Sequence, residues 1–284
     1  VHAESETMTK QLAQEKIAQG KTSIRDYLDS RPVKAELDAI QRALEFAGET
    51  GCALHVVHVS SGAGVALILE AQKRGVNVSC ETCPHYLALT ENDMERLGAI
   101  AKCAPPLRPA EEVENLWNYF QAGKITTIGS DHSPSPPEMK TGENFFKIWG
   151  GISGVQHTLP LLLTCEEAHF KTGAKSLASE DKSLLTSAAT KLIANLLSSN
   201  VASRFRIQRK GQIAIGHDAD LALVDLKESF TVAKEDLFYR HQQSPYVGRK
   251  LRGRIVRTIL RGQTIFLDGK IVAKPSGHLI KLPA

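Results

Sequence analysis

Short apolar runs rich in β-branched residues alternate, along the first two-thirds of this chain, with segments of helical periodicity. That alternation restricts the fold more than any other feature. The runs Cys52 to Val59 (CALHVVHV), Val76 to Cys80 and Ile125 to Gly129 are short and largely apolar, as strands buried on both faces of a parallel sheet are. Apolar residues recur at helical spacing from Thr9 to Gly20 and from Val33 to Gly48, with Gly20 and Gly48 as candidate helix stops. Further helices are expected over Gly64 to Arg74, Glu91 to Leu97 and Glu111 to Gln121. Strands separated by helices imply βαβ units and an α/β fold with a parallel sheet.

Helical texture continues through Gly154 to Leu163 and Lys182 to Leu197, and changes after Phe205. From Arg206 onward, short alternating segments (Leu221 to Val224, Ile255 to Leu260, Thr264 to Phe266) are separated by Gly211, Gly216, Gly262 and the pair Asp268-Gly269, a hairpin signal. The expected organisation is an α/β part over 1–205 and a small β-rich annex, mostly a β-sandwich with terminal segments, over 206–284.

Composition narrows the function classes. With 42% apolar and 23% charged residues in 284, the chain has the balance of a soluble globular protein. The net charge of +4 is spread without a basic run, so neither nucleic acid nor a membrane surface is an expected partner. Apolar stretches such as Leu159 to Leu163 fall far short of the roughly 20 residues that a membrane span needs. Five cysteines without a regular framework point to a reducing compartment, and no secretory leader pattern is present, so a cytoplasmic location is expected. The chain opens on Val1 and His2, which read as the end of a strand.

Three residues stand where strands should end: His2 in VHAE, His58 in HVVHVSS and Asp131 in IGSDHSP. In a βα-barrel the reactive side chains come from the C-terminal ends of different strands, because the loops there form the open mouth. Neutral imidazole and carboxylate are the ligands that a catalytic zinc accepts. A single histidine near a strand is more often a hydrogen-bonded core or surface residue than a ligand. Asp131 is harder to dismiss, since a carboxylate straight after an apolar strand needs a partner or a metal if it is buried; the plain alternative is a loop cap. Cys80, Cys83 and His85 resemble half a zinc knuckle, but no second pair follows at matching spacing, and a packed strand end is the better account.

The segments HVVHVSS, CETCPHYL, AKCAPPLR, SDHSPSPPEMK, WGGISGVQ, GQIAIGHDADLALVD and SPYVGRKLRG occur in the order found in the cyclic amidohydrolases, the group that holds allantoinase, hydantoinase, dihydropyrimidinase and dihydroorotase. The chain resembles that group over nearly its whole length, and SDHSPSPPEMK with WGGISGVQ resembles the allantoinase branch most. The resemblance implies a TIM-like (β/α)8 barrel of the metal-dependent amidohydrolase type, and hydrolysis of the cyclic amide of allantoin to allantoate. The alternatives are a hydantoinase or dihydropyrimidinase acting on related cyclic ureides, and a non-catalytic dihydropyrimidinase-like scaffold.

By the same resemblance two divalent metals, most simply zinc, are bridged by a carbamylated lysine and a hydroxide. His2 matches the family's strand-five histidine, His58 the strand-six histidine, and Asp131 the strand-eight aspartate, which is both ligand and proton shuttle. Ala104, Gly150 and Gly151 match positions where relatives hold the substrate ring through backbone groups. The family's H-x-H pair has no counterpart in this sequence. The chain is therefore expected to be N-terminally incomplete, beginning inside the barrel, with the bridging lysine on a segment upstream of Val1; a natural short form that has lost those ligands is the competing account. Relatives are commonly homotetramers or homodimers, and the expected partner is a small cyclic ureide.

Overall fold

The computed structural model describes residues 1–172 and 182–280, so residues 173–181 of the α/β range and 281–284 of the annex range lie outside the described residues. Two compact units form: Val1–Gln156 together with Leu237–Val247, and His157–Asp236 together with the chain from Gly248 onward. The helices after His157 group with the antiparallel strands.

In the first unit, helices α1 (Glu6–Ala18), α2 (Ile24–Asp29) and α3 (Val33–Thr50) precede strand β1 (Leu54–Val56). Helix α4 (Gly62–Lys73) leads to β2 (Val78–Thr82), and α5 (Pro84–Ala88), α6 (Glu91–Leu97) and α7 (Ala110–Gln121) lead to β3 (Thr127–Ile128). The strands form a parallel sheet in the order β1-β2-β3, with Leu54 opposite Val78 and Thr82 opposite Ile128. Strands β1 and β3 are shorter than their apolar runs, and the residues after them leave the sheet to carry the rim, whereas β2 continues two residues past Cys80 to Thr82.

Local chemistry explains the helix ends. Ser23 with Asp26, and Thr90 with Asp93, form reciprocal capping boxes that satisfy the orphan amides at the starts of α2 and α6. Helix α3 runs past Gly48 and stops at Gly51, whose φ of 69° is the left-handed conformation that glycine adopts without penalty. Gly48 stays helical, so glycine identity alone was not a stop signal there. On α7 the buried set Val113, Leu116, Trp117 and Phe120 makes one apolar stripe, and the Trp117 indole donates to the Leu87 carbonyl at 2.8 Å. Helix α4 lies so close to α7 that a Cβ on Gly62 would come within 2.8 Å of the Asn115 Cβ.

The second unit holds α8 (Thr158–Thr172), α9 (Lys182–Ala194), which passes through a π-turn into α10 (Asn200–Arg204), and an antiparallel sheet in the order β4 (Leu221–Thr231), β5 (Lys250–Leu260), β6 (Gln263–Leu267), β7 (Lys270–Ile271). Asp268 and Gly269 close the β6-β7 hairpin with φ of 45° and 81°, the double positive φ of a type I′ turn. Helix α8 is fastened to β5 by the Arg252 amide, which donates to Thr164 Oγ1 at 2.8 Å, and by a 2.9 Å ion pair between Arg252 and Glu167. Among the described residues the strands of this unit make one four-stranded sheet. Among the described residues no helix is long and apolar enough to cross a membrane.

Candidate active site

Val1 carries no strand assignment, yet it pairs with β1: its backbone nitrogen donates to the His55 carbonyl at 2.6 Å, and its carbonyl accepts from the Val57 amide at 3.1 Å. That pairing sets His2 beside the end of β1. His58 lies just beyond that end, and His2 Nδ1 stands 2.8 Å from His58 Nε2, with the rings edge to face at 4.7 Å between centroids. Two imidazole nitrogens at that distance share one proton, so at least one of the pair offers a lone pair. Burial lowers the His58 pKa, the neighbouring His2 lowers it further, and Asp131 opposes them. The neutral imidazole so favoured is the form that ligates metals.

Asp131 comes from the other edge of the sheet, three residues past β3. His58 (φ 42°) and Asp131 (φ 43°) are, among the described residues up to 205, the only non-glycine residues with positive φ. A left-handed backbone costs an ordinary residue roughly 1–2 kcal/mol and Asp or His less, and residues held in it gather at functional sites, where the surrounding structure fixes them. The Asp131 carboxylate acts on His58 and also adds to the effect of burial on the Cys83 and Cys103 thiols, the latter pushed up to about 12. The two edge strands thus end in the same kind of kink, and both kinks carry residues of the expected ligand set.

Three loops are laced together next to Asp131. Ser133 donates to the Ile152 carbonyl at 3.0 Å, Gly154 donates to His132 Nδ1 at 3.2 Å, and Gly151 donates to the Lys102 carbonyl at 2.7 Å. Ala104 follows Lys102 and Cys103 on the third of these loops, and its peptide bond to Pro105 is cis. The structure therefore brings Ala104, Gly150 and Gly151 to the rim that Asp131 occupies. A Cβ on Gly150 would meet nothing within 4 Å, whereas one on Gly151 would strike Ser133 at 2.4 Å.

A buried polar network behind His58 escaped the sequence reading. Glu36 of α3, 1% exposed, accepts from the Ser60 amide at 2.7 Å, from Ser60 Oγ at 2.8 Å and from Ser61 Oγ at 2.5 Å. Arg108 donates to Ser60 Oγ at 2.9 Å and to the Arg31 carbonyl at 2.6 Å, and Arg31 in turn pairs with Glu4. Burial raises the Glu4 pKa against the pull of Arg31 and Arg108. These bonds tie the turn after His58 to α3 and to the segment that carries His2. The available signal was an acidic residue among the apolar positions Ala35, Ala39 and Ile40, which a solvent-facing carboxylate would not occupy.

Cys80 lies inside β2, Cys83 caps α5 and His85 belongs to α5. All are buried; desolvation pushes the Cys80 thiol up to about 11 and His85 down to about 3. Among the described residues no cluster of three or more His, Cys, Asp or Glu is arranged to hold a metal ion. What the rim offers is a partial donor set that fits zinc chemistry: two facing imidazoles, a carboxylate acting on one of them, and a buried His58 Nδ1 with no hydrogen-bond partner.

The amidohydrolase family model matches residues 1–265. The chain belongs to the amidohydrolase family. Within that family it is 52% identical to an allantoinase of Rubrobacter xylanophilus over 281 residues, which is 99% of this chain and 58% of the relative. It is 49% identical to an allantoinase of Deinococcus radiodurans over 280 residues, again 99% of this chain and 58% of the relative. The chain thus spans little more than half the length of the curated relatives it matches. Among solved structures, the L-hydantoinase (dihydropyrimidinase) from Arthrobacter aurescens superimposes with a TM-score of 0.86 at 35% identity, over 96% of this chain and 58% of that one. The dihydropyrimidinase from Brevibacillus agri gives 0.83 at 29% identity, over 96% and 57%. With these neighbours, the amidohydrolase sheet β1-β2-β3 is part of a TIM-barrel fold, and its rim is the face where such barrels carry their chemistry.

Proposed function

We propose that the protein to which this chain belongs is an allantoinase, opening the ring of allantoin to allantoate by metal-dependent hydrolysis. The observation that carries this reading is the pair of left-handed strand ends, His58 and Asp131, with His2 set against His58 by pairing to β1. The allantoinases at 49–52% identity supply the substrate, since they match this chain from end to end.

Two divalent cations, zinc being one that imidazole and carboxylate accept, would be held by His2, His58 and Asp131 together with ligands in the part of the relatives' length that this chain does not span, a carbamylated lysine among them. When bound, such ions activate water as a nucleophile near neutral pH and polarise the scissile carbonyl. The Asp131 carboxylate takes a proton from the attacking water and returns it to the ring nitrogen as the C–N bond breaks. Backbone groups of Ala104, Gly150 and Gly151 hold the ring in place, the bare Cα atoms of the two glycines allowing close approach. The Glu36–Ser60–Arg108 network keeps the turn beyond His58 from relaxing out of its strained form. The catalytic barrel is taken to extend over 1–205 and the annex over 206–284, in a cytoplasmic homodimer or homotetramer; the five cysteines, free in the structure, suit a reducing compartment.

A second reading, hydantoinase or dihydropyrimidinase, has the structural neighbours in its favour. Steady-state kinetics of the full-length protein loaded with zinc, on allantoin, hydantoin, dihydrouracil and dihydroorotate, separate the two. Allantoin should give the largest kcat/KM by about tenfold or more. A larger value for hydantoin or dihydrouracil would transfer the assignment to the second reading, and turnover of none of the four would end both.

A further inference from the structure

Two lysines at the same rim are left unused by this mechanism. Lys102, 3% exposed, sends its ammonium to the carbonyls of Phe145 at 2.6 Å, Phe146 at 3.4 Å and Ile148 at 2.5 Å. The same ammonium lies 4.5 Å from the Tyr27 ring centroid and 5.1 Å from that of Phe145. Half-buried Lys140 donates to the carbonyls of Trp149 at 3.1 Å, Gly151 at 2.6 Å and Ala99 at 3.0 Å. Between them the two ammoniums hold five of the seven carbonyls in residues 145–151.

This use of lysine is costly and specific. Among the described residues neither ammonium forms an ion pair with a carboxylate, although desolvating an unpaired cation is unfavourable. The charge is met instead by carbonyl dipoles and aromatic faces, and all three donors of each ammonium are spent on backbone oxygens. Beyond the short turn that bonds Ile148 to the Phe145 carbonyl, this loop is shaped from outside, by side chains of two other segments. Burial pushes both lysines down to about 8, so at neutral pH the charged form that strengthens these bonds still predominates.

We propose that Lys102 and Lys140 are positioning residues for substrate binding, fixing the 145–151 loop by its own carbonyls so that Gly150 and Gly151 present their backbone to the substrate ring. The loop is anchored at its end by the Gly151 amide, which donates to the carbonyl of Lys102 itself, so the residue that clamps the loop's start also receives its finish. Its other attachments are Phe145, which donates to the Thr22 carbonyl, and Trp149, which donates to the Met139 carbonyl next to Lys140. Arginine cannot replace either lysine well, because a planar fork does not reach three carbonyls arranged around a point.

This inference rests on the reading of Gly150 and Gly151 as substrate-facing, and its test has one arm that does not need that reading. In the full-length zinc-loaded protein, Lys140→Met, Lys102→Met and Lys140→Arg are compared with wild type by allantoin kinetics, bound zinc and amide hydrogen exchange. Lys140→Met should raise KM by about tenfold with kcat within about threefold, the split expected when ground-state binding is lost. Zinc content should stay at the wild-type value, exchange within 145–151 should quicken by about tenfold while Ala110–Gln121 keeps its protection, and Lys140→Arg should not restore KM. If Lys102→Met fails to fold, Lys140→Met decides alone, since that side chain is only half-buried. A KM within about twofold of wild type in Lys140→Met, or unchanged exchange in 145–151, overturns the proposal. Absence of allantoin turnover in the wild type would instead defeat the functional reading, and the exchange arm would still decide whether the lysines hold the loop.

Discussion

Substituting Asp131 by asparagine and, separately, by alanine divides what its side chain does from what its backbone requires. At φ 43° the residue sits in the left-handed region, where asparagine is tolerated because its short polar side chain bonds locally, while alanine pays roughly 1 kcal/mol. The asparagine variant should therefore fold like wild type. The alanine variant should lower the melting temperature of the unit that contains it by about 2–4 °C, the shift that 1 kcal/mol produces in a unit of this size. Both lose the carboxylate proposed to take and return the proton, so kcat on allantoin should fall by about 10²–10⁴-fold in each. The assay is kcat together with calorimetry and bound zinc on the full-length protein. An Asp131→Asn enzyme within tenfold of the wild-type kcat would refute the shuttle, and an alanine variant as stable as the asparagine one would refute the strained backbone.

Two further outcomes can be checked. Gly150→Ala should leave the melting temperature unchanged, because its Cβ meets nothing within 4 Å, and should raise KM for allantoin; Gly151→Ala, whose Cβ would lie 2.4 Å from Ser133 Oγ, should destabilise by about 1–3 kcal/mol in chemical denaturation, and a reversed order would show that the loop is placed otherwise. His157, pushed down to about 4 by burial, has a folded-state pKa below its unfolded value. Its share of stability is therefore present above the ordinary histidine range and lost as pH falls from about 6.5 toward 4, where the unfolded chain binds the proton first. Urea midpoints at pH 7 and pH 5 should differ less in His157→Gln than in wild type, and an equal difference would remove His157 from the account.

How much of the candidate site is legible in the sequence depends on how local each signal is. His58 and Asp131 were legible because each follows an apolar run, and the end of a parallel strand is where side chains face a barrel mouth. Their shared left-handed backbone was not, since nothing in HVVHVSS or SDHSP marks φ for a non-glycine residue. Lys102 and Lys140 lie inside AKCAPPLR and SDHSPSPPEMK and gave no sign of their role, because a lysine reads as a surface charge until its surroundings are known. Glu36 hid in the same way among the apolar positions of α3, its partners Ser60 and Ser61 lying two elements later in the chain.

Local sequence pattern determined that β1, β2 and β3 are strand segments separated by helices and that Asp268-Gly269 turns a hairpin, because these outcomes are set by forces acting within a few residues. Only the tertiary structure decided that α3 passes Gly48 and ends at Gly51, that the helices after His157 side with the antiparallel sheet, and that His2 meets His58 at 2.8 Å. Those outcomes turn on burial and on bonds between residues tens of positions apart, for which a buried donor or charge must find a partner wherever the folded chain supplies one.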